Sequence, residues 1–248
     1  MKALVFAAGL GTRLRPITDT IPKALVPVGG IPMLGRVICR LRDAGISDFV
    51  VNAHHFREKI VSYLAENDFG VRVRVSLEDG ERPLETGGGI RHARPLLESR
   101  CCCEEDRFLV HNVDILSNLD IPWFVSMDRD DALATLLLVE KEADRYLLFD
   151  DRMRLCGWTN VRTGEVKSPF PDFDPSLYRR YSFCGIHIIS GDVFPLMESW
   201  PDHFGIIDFY LSVCRDHVIR GVVAQGLDII DIGSPETLRT ADARFSVE

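Results

Sequence analysis

The sequence predicts an α/β fold built on a doubly wound, mostly parallel sheet with a small antiparallel addition. Over the first 112 residues, short β-rich runs alternate with segments that have helical periodicity. The β-rich runs are continuously apolar, as parallel strands are when helices cover both faces of their sheet. Beyond residue 130, strand-like runs follow one another with turn signals between them, which is typical of antiparallel strands.

The alternating half of the chain is predicted to contain strands separated by helices. In chain order these are strand Ala3 to Ala8, helix Met33 to Ala44, strand Phe49 to Ala53, helix Arg57 to Glu66, strand Val71 to Leu77, helix Gly89 to Leu97 and strand Phe108 to Asn112. The antiparallel addition is predicted from later strand-like runs at Leu133 to Glu140, Tyr146 to Trp158 and Tyr181 to Ile189.

Alternating elements return in the C-terminal part of the chain. A helix is predicted at Ile207 to Asp216, followed by strands at Gly221 to Ala224 and Asp228 to Ile232. Ser234 is a candidate N-cap with Pro235 at the first helical position, so a closing helix is predicted from Ser234 to Phe245. No repeat, low-complexity tract or long linker interrupts the sequence, and residues 1–248 are therefore predicted to form one domain.

Composition and charge narrow the classes of function. The chain has 248 residues, of which 46% are hydrophobic, which is enough to bury a sizeable core. Its net charge of −8 argues against broad binding to nucleic acid or to an anionic membrane. The charge is uneven, because residues 1–42 carry seven basic side chains and one acid, for a net +6, and the remainder carries −14. This distribution favours a small, local anionic ligand.

The sequence also bears on compartment and redox state. The N-terminal residues lack the features of a signal peptide, and no run approaches the roughly 20 apolar residues of a membrane span, so a soluble cytoplasmic protein is expected. Seven cysteines without metal-type spacing predict reduced and mostly buried thiols, with one loop cluster at Cys101, Cys102 and Cys103, over a disulfide framework or a zinc site.

The loop after the first predicted strand is a candidate phosphate-binding site. Gly9 and Gly11 permit a close backbone approach, so that amide N–H groups can point at phosphate oxygens. Arg13 offers a planar fork for two phosphate oxygens, and Lys23 offers a compact charge. A dinucleotide-binding loop is disfavoured because Leu14 stands where its third glycine is required, and no Walker lysine pattern occurs.

These residues belong to a longer pattern that resembles the signature of the sugar-1-phosphate nucleotidyltransferases. The matching stretches are GLGTRLRP at residues 9–16 with Thr18 and Pro22-Lys23, LETGGG at 84–89, HNVD at 111–114, FCGI at 183–186 and DIGSPE at 231–236. The resemblance covers nearly the whole chain. It implies a Rossmann-like sheet of the nucleotide-diphospho-sugar transferase type and an Mg²⁺-dependent reaction, in which an NTP and a sugar 1-phosphate give an NDP-sugar and pyrophosphate.

The resemblance also implies roles for individual residues. The catalytic residues would be Arg13, Lys23 and Asp114, and the metal ligands would be Asp114 and Asp231. The residues that bind the nucleotide would be Ala8, Gly9, Gly11, Thr12, Arg13, Lys23, Glu85 and Gly88. The residues that bind the sugar phosphate would be Asn112, Asn160 and Glu165. Several have a structural alternative: Asp114 could cap a helix, Asp231 could order a turn, and Asn112 could tie neighbouring strands. The E-K-P segment of many members has no clear counterpart, although residues 155–167 occupy its place.

Several functions stay open at this point. Short members with these motifs resemble N-acetylmuramate 1-phosphate uridylyltransferases, which favours UTP and an amino-sugar phosphate for envelope synthesis. They also resemble mannose- or heptose-1-phosphate guanylyltransferases. Another class is a non-catalytic, nucleotide-sugar-binding regulatory subunit, and a dinucleotide-dependent oxidoreductase is a remote alternative. The expected partners are an NTP and a sugar 1-phosphate, with no nucleic acid and no membrane, in a monomer or homodimer that is a catalytic core alone.

Overall fold

The computed structural model describes residues 1–98 and 106–245. Its strands are β1 Lys2–Phe6, β2 Pro27–Val28, β3 Ile31–Pro32, β4 Asp48–Ala53, β5 Arg72–Leu77, β6 Arg107–Asn112, β7 Ile115–Ser117, β8 Ala132–Val139, β9 Arg145–Phe149, β10 Leu155–Asn160, β11 Glu165–Lys167, β12 Arg179–Ser190, β13 Val218–Val223 and β14 Ile229–Asp231. Its α-helices are α1 Met33–Asp43, α2 Arg57–Glu66, α3 Glu85–His92, α4 Arg94–Leu97, α5 Ile121–Ser126, α6 Val193–Met197, α7 Ile206–Val213 and α8 Pro235–Phe245.

The centre of the molecule is a parallel sheet around β1. Strand β1 pairs in parallel with β4 on one side and with β6 on the other, and β5 extends the sheet beyond β4. Helices α1 and α2 connect these parallel strands. Leu34, Val37, Ile38 and Leu41 follow helical spacing along α1 and are buried, which explains why this segment is an amphipathic helix lying on the sheet.

One antiparallel strand enters the sheet and carries the antiparallel addition. Strand β12 pairs antiparallel with β6 and with β8, and β13 then pairs in parallel with β8. The first residues of β12 extend beyond the main sheet and pair with β9, which is followed by β10 and β11, all antiparallel. The predicted mostly parallel α/β sheet with a small antiparallel portion is therefore confirmed.

Hydrophobic cores cover both faces of the sheet. Ala3 and Val5 point into one core and Leu4 into the other, because successive side chains of a strand alternate between faces. All three are fully buried. The second core also encloses polar side chains, since the Tyr210 hydroxyl and His187 Nδ1 lie 2.9 Å apart in a hydrogen bond. The doubly wound arrangement explains why the strands are continuously apolar.

Most differences from the predicted elements lie at boundaries. Helix α3 begins at Glu85, four residues before the predicted start, so the second glycine-rich motif forms helical turns and not a loop. The run predicted from Tyr146 to Trp158 is two strands, β9 and β10, joined by a turn at Asp150. The short strands β2, β3, β7 and β11 were not predicted, because runs of two or three residues show no clear period.

The C-terminal helix and the described cysteines agree with their predictions. The closing helix is confirmed, and the Ser234 hydroxyl accepts a hydrogen bond from the Thr237 N–H at 3.2 Å, as an N-cap does. Cys39, Cys156, Cys184 and Cys214 are free thiols, as predicted, and the cluster at residues 101–103 lies outside the described residues. Among residues 1–98 and 106–245, no helix has the length and apolar character needed to cross a membrane.

Candidate active site

A cleft of about 400 Å³ opens at the carboxyl ends of the central parallel strands. Phe6 ends β1 and is in register with Asn52 of β4 and with Asn112 of β6. All three residues line the cleft. This is the edge of an open α/β sheet where ligands bind, because the loops that leave the strands there diverge and leave a crevice.

The glycine loop forms one wall of the cleft. Gly11 has φ +65° and precedes a single 3₁₀ turn at Thr12–Leu14. A Cβ on Gly11 would lie 2.8 Å from Thr18 Cγ2 and 3.1 Å from Lys23 Cβ, so only glycine fits both the conformation and the space. Leu14, in the position of a third glycine, is fully buried and anchors the loop in the core. The residue that replaces the third glycine of a dinucleotide-binding loop is therefore part of the hydrophobic core.

Lys23 and Asp114 meet inside the cleft. The Lys23 Nζ donates a hydrogen bond to Asp114 Oδ2 in an ion pair, and both residues line the cleft wall. The side chains are only 11% and 20% exposed, respectively. An ion pair this sheltered interacts more strongly than one on the surface, because little water screens it. The cleft thus holds an ammonium group that an entering phosphate can reach.

Asp231 lies close to the same carboxylate. Strand β14 pairs antiparallel with β7, which places Asp231 opposite Ile115, and the Ile232 N–H donates to the Asp114 carbonyl at 2.9 Å. Desolvation by surrounding protein raises the pKa of Asp231, and the neighbouring Asp114 carboxylate raises it further, while Lys23 and Arg13 oppose the shift. Two residues that are 117 positions apart in sequence are therefore electrostatic neighbours, as predicted from their motifs.

Arg13 completes the charged mouth of the cleft. Both terminal nitrogens of its guanidinium lie 2.9 Å from the position that a Cβ on Gly233 would take. Arg13 and Gly233 both line the cleft. Any larger residue at 233 would displace the guanidinium, so the glycine of the DIGSPE motif makes room for the arginine of the first loop.

The structure brings most of the predicted site residues together. Those that line the central cleft are Ala8, Gly9, Gly11, Thr12, Arg13, Lys23, Glu85, Asn112 and Asp114. Asp231 adjoins this group through Asp114. Gly88, predicted to bind nucleotide, is buried behind the wall instead, where its N–H donates to the Phe204 carbonyl and a Cβ would lie 2.2 Å from the Asp202 carbonyl oxygen.

The predicted sugar-phosphate residues occupy three different places. Asn112 lines the cleft, and its side-chain amide nitrogen lies 2.3 Å from where a Cβ on Gly185 would be. Asn160 is buried, and its Oδ1 accepts hydrogen bonds from Arg162 N and Thr163 N, so in this structure it closes the turn between β10 and β11. Glu165 lies away from the central cleft, in a second cavity.

This second cavity, of about 430 Å³, lies between the antiparallel addition and α7. Its lining combines aromatic and charged side chains and includes Trp158, Glu165, Lys167 and Asp208. The Lys167 Nζ lies 3.2 Å from Asp208 Oδ1 and 5.2 Å above the centre of the Trp158 ring. Gly205 lies between side chains of the two cavities, since Asp208 Oδ2 of the second and Glu85 Oε2 of the first lie 3.5 and 3.8 Å from its Cβ position.

Three residues at or near the cleft are not among those assigned roles from the sequence. Asn52 and Thr86 line it, and the Thr86 hydroxyl accepts a hydrogen bond from the Ile206 N–H at 2.9 Å, which ties α3 to α7. Lys141 acts electrostatically on Asp231 from the segment after β8. Asn52 could have been found as a polar residue that interrupts the apolar run of β4, and Thr86 belongs to the LETGGG motif, whereas Lys141 carries no comparable signal.

Comparison with known proteins agrees with this geometry. The profile described as "Nucleotidyl transferase" matches residues 2–146, more than half of the chain. The chain belongs to the nucleotidyl transferase family. This nucleotidyltransferase is 30% identical to the N-acetylmuramate alpha-1-phosphate uridylyltransferase of Caulobacter vibrioides over 98% of its own length and 96% of that protein. The predicted enzyme class, a sugar-1-phosphate nucleotidyltransferase, is confirmed.

Other relatives match a shorter part of the nucleotidyltransferase. It is 41% identical to the N-acetylmuramate alpha-1-phosphate uridylyltransferase of Neisseria meningitidis over 48% of this chain and 49% of that protein. It is 38% identical to the mannose-1-phosphate guanyltransferase of Candida albicans over 47% of this chain and 31% of that protein. These two matches therefore span about half and about a third of the relatives' own lengths.

Solved structures share the fold of the nucleotidyltransferase. HddC from Yersinia pseudotuberculosis has a TM-score of 0.73 at 23% identity, with 98% of this chain and 99% of that chain covered. The inositol-1-phosphate CTP transferase from T. maritima has a TM-score of 0.75 at 18% identity, with 99% and 95% covered. The predicted nucleotide-diphospho-sugar transferase type of sheet is thus confirmed.

Proposed function

We propose that the protein catalyses the Mg²⁺-dependent transfer of a nucleotidyl group from an NTP to a sugar 1-phosphate. A phosphate oxygen of the sugar 1-phosphate bonds to the α-phosphorus of the NTP, the bond from that phosphorus to the bridging oxygen breaks, and pyrophosphate leaves. The observation that carries the proposal is the convergence of Lys23, Arg13, Asp114 and Asp231 at one cleft mouth. Two cations and two carboxylates suit a site that must hold several phosphates.

The cations supply what this chemistry needs most. The attacking oxygen is already ionised, so the site requires no general base and instead must position two anions that repel each other. Lys23 would neutralise charge on the α-phosphate. Because its ammonium is paired with Asp114, a phosphate oxygen would have to compete with that carboxylate for it. Arg13 would hold the outer phosphates and the departing pyrophosphate, because its planar fork matches two oxygens at once.

The carboxylates fit a magnesium ion. Mg²⁺ binds through one or two carboxylates and takes its remaining ligands from water and substrate phosphates. Asp114 and Asp231 provide such a pair. Desolvation and the neighbouring Asp114 carboxylate both raise the pKa of Asp231, and a cation between the two carboxylates would relieve their repulsion. Among the residues described, no group of three or more acidic, histidine or cysteine side chains forms a fuller cage. Bound there, the ion would offset phosphate charge.

The substrates would lie along the two cavities. The base and ribose would occupy the central cleft near Glu85 and Thr86, and the sugar phosphate would lie near Asn112. The sugar ring would extend past Gly205 into the second cavity, where Glu165 and Trp158 line the wall. An aromatic face beside charged hydrogen-bonding groups suits a ring that has both apolar and hydroxyl-bearing surfaces.

We infer that UTP and N-acetylmuramate 1-phosphate, or a related amino-sugar phosphate, are the substrates. The near full-length match to the Caulobacter enzyme and the shorter match to the Neisseria enzyme support this pair. A second candidate is a mannose- or heptose-1-phosphate guanylyltransferase, which the match to the Candida mannose enzyme favours. That match covers only 47% of this chain, so it supports this candidate less than the near full-length match supports the first.

Pyrophosphate release tests the proposal. The wild-type protein should be assayed with UTP, GTP, CTP and dTTP against a panel of sugar 1-phosphates, with Mg²⁺ present. We expect the highest kcat/KM for UTP with N-acetylmuramate 1-phosphate, and loss of turnover in Asp114→Asn. Turnover of no pair would overturn the enzyme proposal, and nucleotide binding without product, unchanged by Asp114→Asn, would point to a regulatory subunit. A preference for GTP with mannose 1-phosphate would select the second candidate.

A further inference from the structure

A buried chain of hydrogen bonds runs beneath the central cleft and links its two nucleotide-facing segments. We propose that Asn52 and Glu78 are positioning residues, which hold the glycine loop after β1 and the start of α3 at a fixed separation for the NTP. The inference rests on the proposed function, because it concerns the nucleotide cleft of that reaction. Neither residue belongs to the motifs that identified the family.

Asn52 holds the first segment. The Ala7 N–H donates to Asn52 Oδ1 at 2.7 Å, at the point where the chain leaves β1 and turns into the glycine loop. Asn52 itself lies on β4, is 1% exposed and lines the floor of the cleft. Its side chain thus fixes the direction in which the phosphate-facing loop departs from the sheet.

Glu78 holds the second segment. Asn52 Nδ2 donates to Glu78 Oε1 at 2.7 Å, and the other oxygen, Oε2, accepts from the Leu84 N–H at 2.9 Å. Leu84 immediately precedes α3, whose first residues, Glu85 and Thr86, line the cleft. One continuous path therefore runs from the backbone of residue 7 to that of residue 84 through two buried side chains.

The burial of this carboxylate points to a role in the site. Glu78 is 1% exposed and forms no ion pair with any cation among the described residues. A carboxylate in such a place is costly unless donors satisfy it, and here the two N–H donors do so. Gly89 leaves the room required, because a Cβ there would lie 2.9 Å from Glu78 Oε1 and 3.1 Å from Asn52 Nδ2. The absence of a side chain at Gly89 thus allows Asn52 and Glu78 to meet.

The direction of each hydrogen bond makes the proposal testable. Asn52 accepts once and donates once, whereas Glu78 accepts twice. Asn52→Asp places two carboxylates side by side, so that the hydrogen bond between them is lost. Glu78→Gln replaces one accepting oxygen with an NH₂ donor, which then faces another donor, either Asn52 Nδ2 or the Leu84 N–H. In the double variant, the carboxylate introduced at position 52 accepts from the Ala7 N–H and from the new amide at position 78, whose oxygen accepts from the Leu84 N–H. The path is then restored with its middle bond reversed and the total charge unchanged.

The experiment compares steady-state kinetics of the two single variants, the double variant and wild type. Each single variant should raise KM for the NTP roughly 10-fold, the scale of one unsatisfied buried polar group, and leave KM for the sugar 1-phosphate within about twofold. The double variant should return KM for the NTP to within about threefold of wild type. Glu81→Gln, an exposed charge change in the same segment, serves as the control and should leave both KM values unchanged.

The outcomes separate this inference from the proposed function. Single variants with wild-type KM for the NTP, or a folded double variant as impaired as the singles, would overturn the positioning role. If a single variant does not fold, Glu78→Asp replaces it, because the shorter carboxylate cannot reach both donors and should raise KM for the NTP. If wild type releases no pyrophosphate from any pair, the proposed function fails, and calorimetric NTP affinities of the same variants decide the positioning role.

Discussion

The Lys23 ammonium and the Asp114 carboxylate, 91 positions apart in the sequence, form an ion pair inside the central cleft. Lys23 follows the glycine loop, and Asp114 follows β6, so the pair joins segments that leave two adjacent parallel strands. The pair holds the ammonium beside the cleft. Under the proposed function, a substrate phosphate would compete with Asp114 for this ammonium. A charge fixed before the substrate arrives needs little reorganisation during the reaction.

Removing this charge should slow the chemical step. Lys23→Ala is expected to lower kcat by about 10² to 10³, the scale for losing one preorganised electrostatic partner. Pyrophosphate release at saturating substrates measures the effect. Lys59→Ala changes an exposed lysine of α2 that does not line the cleft, and it should retain the wild-type rate. A Lys23→Ala enzyme that is folded and near normal in kcat would show that the ammonium does not act on the transferred phosphate.

Two arginines of the same loop provide a matched pair. Arg13 lines the cleft against Gly233, whereas the Arg15 side chain is 66% exposed and pairs with Asp19 on the surface. Arg13→Ala should lower kcat/KM by about 10² to 10³, because it removes a fixed cation from the phosphates. Arg15→Ala should change it by less than about threefold, as exposed ion pairs contribute little. Equal losses in the two variants would mean that general loop charge, and not the placement of Arg13, matters.

The raised pKa of Asp231 predicts a pH-dependent stability effect in the ligand-free protein. A carboxyl whose pKa is higher in the folded state favours folding while it is protonated, and this contribution is lost as the pH rises through the folded pKa. Asp231→Asn should therefore unfold at higher denaturant concentration than wild type at pH 7. The difference should shrink as the pH falls towards the ordinary aspartate value of 3.8. Identical denaturation midpoints for Asp231→Asn and wild type at both pH values would contradict the raised pKa of Asp231.

Lys167 offers a test of sugar recognition. N-Acetylmuramate carries a lactyl carboxylate that N-acetylglucosamine lacks, and Lys167 is a cation in the second cavity. Lys167→Ala should lower kcat/KM for N-acetylmuramate 1-phosphate by about tenfold, the scale of one hydrogen bond to a charged group, and lower it less for N-acetylglucosamine 1-phosphate. The ratio of the two kcat/KM values is the readout. An equal loss for both sugars would show that Lys167 does not recognise the acidic substituent.

Local signals explain why the fold was predictable. Continuous apolar runs such as the one through Leu4 identify buried parallel strands, and the spacing along α1 identifies an amphipathic helix. The order of the main elements of the parallel sheet was therefore predictable, whereas helices α5 and α6 were not predicted. The glycine loop was also predictable from a local signal, because Gly11 and Lys23 lie close together in the sequence. The family motifs then indicated that the two distant aspartates share a site, which the pairing of β7 with β14 explains.

The remaining features depend on contacts that no short segment records. Asn160 was predicted to contact the sugar phosphate, but in the structure its side-chain oxygen accepts hydrogen bonds within the turn after β10. Gly88 lies in a glycine-rich motif, yet the helical turn that begins at Glu85 directs it away from the cleft. The link between Asn52 and Glu78 joins residues 26 positions apart, and only the parallel register of β4 and β5 brings them together.

Transfer of a label from the α-phosphate of UTP to the sugar 1-phosphate tests directly whether the protein is a nucleotidyltransferase with these substrates. The protein is incubated with Mg²⁺, UTP labelled at the α-phosphate and N-acetylmuramate 1-phosphate, and both products are quantified over time. We expect label to appear in the UDP-sugar in a one-to-one ratio with released pyrophosphate, and neither product to form without the sugar phosphate. Pyrophosphate that forms equally well without the sugar phosphate, or label that never reaches a sugar with any NTP and sugar 1-phosphate, would contradict the proposed reaction.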